Sequence, residues 1–421
     1  MKTEMSRAPI AALFLRALLL ASAAGSLPLA AMEPTAETAT QPAPEPAGKP
    51  LVAELPDIKS YREAIEQLES GEGAYARALP EQLLSLGISL QQSGKHDEAV
   101  ELFKRGVHLS RINNGLYGVE QIALLQQEIL SHIALGQYSE ADERQHYMYR
   151  VQMRNMESSL NRAEAFMQQA RWQYNAYRLN LGDTGYTRLM SMWDLYRLAL
   201  NDIVDREGST AESLIEPLEG MLLAQYLITD YTPQSGSGGF SSGESFTAQQ
   251  QANRFNAYRG QSYKRGRAVI QAIYDVQLAN HGENSTETAH SLTMMGDWTL
   301  WHGERETAMA AYQQATAELV ANGAAQEEVD AAFAEPVALP NFDGARTLPE
   351  PVPPGEDNLQ LEFTVNAQGK VMDLERVDEN ELNDGLANRI MRKLRKTRFR
   401  PQLTMGEPVT REKVARAYAI E

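Results

Sequence analysis

Seven histidines, His96, His108, His132, His146, His281, His290 and His302, are the residues of this 421-residue chain best suited to hold a metal or move a proton near neutral pH. A helical zinc site needs two histidines one turn apart around a glutamate, and no pair here has the His-Glu-x-x-His spacing. The chain has no cysteine, which excludes disulfides, thiolate metal sites, iron–sulfur ligation and thiol nucleophiles. Carboxylates are abundant, but neighbours such as Glu98 and Glu101 have the spacing of a solvated helix face. Gly239-Phe240-Ser241-Ser242-Gly243 matches the Gly-x-Ser-x-Gly of a nucleophile elbow, yet it lies inside the Gly/Ser tract Ser235–Gly243 and lacks the strand-to-helix context. The same tract lacks the Gly-Lys-Ser/Thr ending of a phosphate loop and reads as a flexible connection. With no catalytic constellation, the expectation is a non-enzymatic protein without metal or cofactor.

Charge narrows the partners. Lys and Arg number 39 against 56 Asp and Glu, a net charge of −17, so a phosphate polymer would be repelled and no nucleic acid is expected. Against that background the run Arg389, Arg392, Lys393, Arg395, Lys396, Arg398 and Arg400 stands out. It reads either as cations placed favourably toward a helix C-terminus, or as a contact for an acidic partner segment or for docking onto the acidic helical body. Aromatic clusters such as Trp172, Tyr174 and Tyr177, or Trp298 and Trp301, fit packing between helices, with a partner-gripping face as the alternative.

Length and an apolar share of 43% imply two or three folded units. Residues 57–334 are rich in helix formers and contain a partial repeat. Gly87, Gly94, Ala99, Phe103 and Gly106 recur at the same mutual offsets as Gly296, Gly303, Ala308, Tyr312 and Ala315. Between them Leu125, Gly136 and Ala141 follow Leu83, Gly94 and Ala99 by 42 residues, with Ile129 in place of the small residue and Gln145 in place of the aromatic. These residues resemble the tetratricopeptide repeat in its long, kinesin-light-chain style, which implies an α-solenoid of helix hairpins that binds protein partners. The degenerate middle is expected to hold helices over 145–181, 184–206 and 210–229, and Lys264–His281 reads as a further helix.

At the N-terminus, Lys2 and Arg7 precede the apolar run Ala8–Leu20 and the small residues Ala21–Gly25, the pattern of a secretory signal over residues 1–31 cleaved after Ala31 or Ala23. A Pro/Ala-rich tether, residues 32–56, follows. The expected location is the periplasm; the alternative is an uncleaved inner-membrane anchor facing it, opposed by Arg16 within the span.

Six prolines between Pro336 and Pro354 predict an extended linker over residues 335–356 ahead of a domain at 357–421. There Leu359, Leu361, Phe363 and Val365 alternate with polar residues, Asn366–Gly369 supplies a turn, and Leu386, Ile390 and Leu394 stripe a helix. Val414, Arg416, Tyr418 and Ile420 alternate in a last strand, giving a small α+β domain of order ββαβ. With its Phe363–Val371 hairpin, the Arg398-Phe399-Arg400-Pro401 helix end and the Gly406–Val409 turn, this segment is similar to the C-terminal domain of TonB-type energy transducers. That resemblance implies strand addition to a segment of an outer-membrane receptor. It points to the final strand, with Val409, Val414, Arg416, Tyr418 and Ile420, as the pairing edge, and Arg392, Arg395 and Lys396 are the companion cationic contact. The family's Tyr-Pro lead-in is replaced here by Leu348–Pro354, and a helical body stands where its spacer would be. The expected function is therefore a periplasmic adaptor, with a transport energy transducer as the alternative.

Overall fold

The computed structural model describes residues 58–155, 160–182, 185–232, 246–355, 358–378 and 384–419. The expected signal, the tether, the Ser235–Gly243 tract and Ile420 lie outside the described residues. The described chain divides into two compact units between Asp202 and Ile203.

In the first unit, α1 (Ile58–Glu72), α2 (Leu79–Gln92), α3 (His96–Asn114), α4 (Gln121–Ala134), α5 (Tyr138–Asn155) and α6 (Leu160–Arg178) each pack on the next, and the division falls within α7 (Gly185–Glu207). Small residues set the approach of the helices. A Cβ on Gly87 would lie 2.3 Å from the Phe103 ring, and one on Gly106 would lie 2.6 Å from Leu124. The middle copy keeps the register by exchanging volumes: bulky Ile129 and slim Gln145 replace the glycine and aromatic, and both are fully buried. One helix expected over 145–181 is in fact two, since α5 ends at Asn155 and α6 begins at Leu160.

A turn of the same form closes three of the first helices. Gly94, Gly136 and Gly303 adopt φ of 73°, 72° and 100°, in the left-handed region where glycine is unstrained. In each, the glycine N–H and the next N–H fold back on the helix: Gly94 to Gln91 and Lys95 to Leu90, Gly136 to Ile133 and Gln137 to His132, Gly303 to Leu300 and Glu304 to Thr299.

The second unit takes the last turn of α7 and continues through a short 3₁₀ turn into α8 (Ile215–Asp230), then α9 (Phe246–Arg259), α10 (Ser262–His281), α11 (Thr286–His302), α12 (Arg305–Ala321) and α13 (Gln326–Ala332). Helix α10 packs on α8 and α11, and α11 on α12. The Gly266 and Gly296 positions again admit no side chain, lying 2.2 Å from the rings of Trp298 and Tyr312. Ser285 starts α11 with a capping box, its hydroxyl accepting from the Thr288 N–H at 3.1 Å.

The same unit continues into the C-terminal segment. Strands β2 (Leu359–Val365), β3 (Val371–Arg376) and β7 (Arg411–Tyr418) form an antiparallel sheet in the order β3-β2-β7. Helix α14 (Asp384–Lys396) covers one face through Ala387, Ile390 and Leu394. That is the expected ββαβ order, enlarged by two short ladders. Strand β1 (Val337–Ala338) pairs with β4 (Phe399–Arg400), and β5 (Gln402–Thr404) pairs with β6 (Glu407–Val409). Gly369, at φ 71°, lies so close to β4 that a Cβ would stand 2.0 Å from the Phe399 carbonyl oxygen.

The described part of the stretch expected as a linker over 335–356, residues 335–355, is not the extended spacer that its prolines suggest. Leu339 and Leu348 are buried, Phe342 stacks on Tyr226 of α8 at 5.5 Å, and Leu339 joins the core of Leu300, Ala308, Tyr312, Val329, Phe333 and Leu403. Composition misleads here because apolar residues between the prolines reach two neighbouring cores. Nor does a boundary separate helices from sheet. Arg400 approaches the buried Asp297 of α11 at 3.5 Å, Arg398 donates to the Leu300 carbonyl at 3.1 Å, and Met405 N–H donates to Asp330 at 2.8 Å. The small α+β segment therefore closes the last helix hairpin.

Candidate interaction surfaces

The described residues expected on the pairing edge fall into three groups. Val414 and Tyr418 point into the core beneath α14 and are buried, so their side chains support the module rather than meet a partner. Val409 belongs to β6, where it pairs with Gln402. Arg416 turns to the neighbouring chain, donating to Glu335 at 3.1 Å and to the Ala415 carbonyl at 3.1 Å. Glu335 also accepts from Arg411 at 3.2 Å, so one carboxylate binds two cations of the last strand.

Strand β7 ends its sheet, as a pairing edge requires. Its outer margin is nevertheless partly occupied. The Val352 N–H donates to the Ala417 carbonyl at 2.9 Å, forming a single antiparallel bridge. Backbone groups alternate sides every residue, so Ala415 faces outward with Ala417, and the Arg416 side chain holds its carbonyl. Lys413, at φ 53°, interrupts the regular ladder one step earlier. Val352 has Pro351 and Pro353 beside it, neither of which has an N–H to offer. Next to this bridge a cavity of about 370 Å³ is lined by Leu339, Leu348, Pro351, Phe399, Arg416 and Tyr418.

On α14 the face opposite the core carries Arg389, Arg392, Lys393, Arg395 and Lys396, all exposed. Lys393 donates to the Thr347 carbonyl at 3.3 Å; the other four form no ion pair among the described residues. The open face of the sheet has the opposite sign. Glu362 stands directly across from Glu375, and Asp373 and Glu412 line the same depression of about 510 Å³.

Buried polar groups in the helices are structural. In the first unit Asp142 accepts from Trp172 at 2.6 Å and from Arg188 at 2.6 Å, tying α5, α6 and α7 together. Glu128, fully buried, lies 2.8 Å from Arg144 and 3.7 Å from His132, and that carboxylate pushes the His132 pKa up. In the second unit His302 lies against Trp298 at 4.5 Å, Trp301 at 4.9 Å and Tyr263 at 5.2 Å, and burial lowers its pKa to about 4. Among the described residues no group of His, Asp and Glu is arranged to hold a metal ion, and no helix is long and apolar enough to cross a membrane.

Repeated knob-into-glycine packing and three matching turns settle the helical architecture. The helical body is tetratricopeptide-like. No protein-family model and no curated protein matches the chain. Among solved structures it is similar to a kinesin light chain of Podosopora anserina with nearly identical TPR-like repeats, at 15% identity and a TM-score of 0.38, over 58% of this chain and 97% of that one. A single-substitution form of the same protein gives 15% identity and a TM-score of 0.37, over 57% and 95%. The hairpin architecture rests on the packing at Gly87, Gly106, Gly266 and Gly296 and is independent of these likenesses.

Proposed function

We propose that this chain is a non-enzymatic adaptor of a Gram-negative envelope, exported to the periplasm, whose helix hairpins hold one protein and whose C-terminal segment takes up another by strand addition to β7. One observation supports the second half of this reading. Among the described residues the outer margin of β7 is held by one backbone hydrogen bond, from Val352 to Ala417, given by a residue between two prolines. Such a strap makes fewer bonds than a guest strand with every N–H intact would make, so exchange favours the guest. The TonB-like resemblance supplies the class of guest, an extended segment of an outer-membrane receptor.

Extended peptides selected from a displayed random library against the full chain test this. Val352→Pro removes the competing donor, and one net hydrogen bond of about 1 kcal/mol should tighten peptide binding about fivefold. Ala415→Pro removes an outward N–H without touching the β2 pairing and should abolish it. Equal affinity for all three proteins, with unchanged melting, would contradict strand addition. The export step is tested separately by N-terminal sequencing of the mature protein: a start after Ala31 or Ala23 supports it, and an intact Met1 favours an anchored transducer.

A further inference from the structure

Three arginines of the first unit gather at the tyrosines around one interhelical loop. Arg62, Arg144 and Arg188 are bound to Glu98, Glu128 and Asp142. Arg111 at the end of α3, and Arg150 and Arg154 on α5, meet no carboxylate among the described residues. They lie over tyrosine rings instead. Arg111 and Arg150 stand 5.6 and 5.8 Å from the Tyr147 ring centre, and Arg154 stands 5.2 Å from that of Tyr117. All three guanidinium-bearing residues are exposed.

Between these cations runs the α3–α4 connection, residues 115–119, and it is pinned from three directions. The Gln121 amide donates toward the carbonyls of Gly115, Leu116 and Gly118 at 3.3, 3.2 and 3.1 Å. The Tyr147 hydroxyl lies 2.7 Å from the Leu116 carbonyl, and Asn155 donates to that of Tyr117. A loop held this firmly nonetheless leaves Leu116 and Val119 exposed at 47% and 48%, with Ile112, one turn earlier in α3, at 51%. Burying those side chains in the same hairpin would have been the ordinary outcome of folding; a rigid loop that presents them costs nothing further to order when something docks. Glu120, the adjacent acid, is engaged by Asn114, which lowers its pKa.

We propose that this face, built from Arg111, Ile112, Leu116, Val119, Arg150 and Arg154, docks a short acidic segment of a partner protein in which carboxylates alternate with aliphatic residues. Carboxylates meet the arginines, whose fork geometry suits them, while the aliphatic side chains cover Ile112, Leu116 and Val119. Charge selects a short peptide over larger polyanions. A segment confined to within about one Debye length, ~8 Å, of the patch feels its three cations, whereas a nucleic acid or an anionic bilayer also meets the field of a chain with net charge −17. This surface lies in a different unit from β7 and does not depend on strand addition.

The probe is a fluorescein-labelled peptide of about twelve residues alternating Asp and Leu, titrated with the full chain and followed by anisotropy. Binding is expected, weakening as salt is raised from about 0.05 M to about 0.3 M, and a Lys/Leu peptide of the same pattern should not bind. Replacing Arg111, Arg150 and Arg154 together by Gln should weaken binding at least about tenfold. Should that protein unfold, Leu116→Asp, at an exposed loop position, must produce the same loss with unchanged melting. Failure of the acidic peptide to bind, equal binding by the variants, or arginine-dependent binding only of phosphatidylglycerol vesicles or oligo-dT would overturn the proposal.

Discussion

His302 shows how a single titrating group can report on a packed interface. Surrounded by Trp298, Trp301 and Tyr263, its ring is held neutral, with a pKa near 4 where an unfolded chain would have about 6.5. Because the folded state binds the proton less well, this group's contribution to stability is complete above about pH 6.5 and is lost as the pH falls toward 4. Melting of the second unit should therefore drop across that window, and His302→Phe should flatten the profile there; an unchanged slope would show that other groups dominate. Asp297 makes the complementary case. It accepts from Tyr312 at 2.8 Å and faces Arg400 at 3.5 Å, while burial pushes its pKa up against the pull of the arginine. Removing the cation by Arg400→Ala leaves the carboxyl buried without its partner, and a loss of about 3–5 kcal/mol is expected in denaturant titration. Neither site was legible in the sequence. His302 looked like any helix residue, and Arg400 read as part of a basic run, since nothing local links it to an aspartate so far upstream.

Helix packing was more legible, because it is written in local spacing. Gly87 with Phe103 and Gly296 with Tyr312 are contacts inside one hairpin, so the residues that touch are separated by one turn of chain and recur at fixed offsets. Gly296→Ala would place a methyl 2.2 Å from a fully buried ring, and overpacking of this kind should cost about 1–3 kcal/mol, measured by chemical denaturation. The β5–β6 hairpin escaped notice because its strands are three residues each, too short for an alternating pattern to register. Its signal was the Met405-Gly406 pair, both at positive φ, whose tip reaches Thr316 of α12. The proline stretch failed in the opposite direction: its composition is that of a spacer, but the decisive residues are Leu339 and Leu348, whose burial depends on surfaces formed elsewhere.

At the scale of the molecule the compact division falls between Asp202 and Ile203, and everything after it, helices and sheet together, forms one unit. A chain ending at Ala334 is therefore expected to lose more than a binding module. Leu300 and Tyr312 would lose the cover of Leu339 and Leu403, and Asp297 would lose Arg400, so the helices from α8 to α13 should melt earlier than in the full chain. Circular dichroism of the truncated protein checks this, and unchanged melting of those helices would show the segment to be an independent appendage. The sealed hairpin also limits how such a protein can vary. With β4 and the β5–β6 ribbon seated on α11, α12 and α13, no further repeat can stack at that end; lengthening the array by duplication is confined to positions before Thr286.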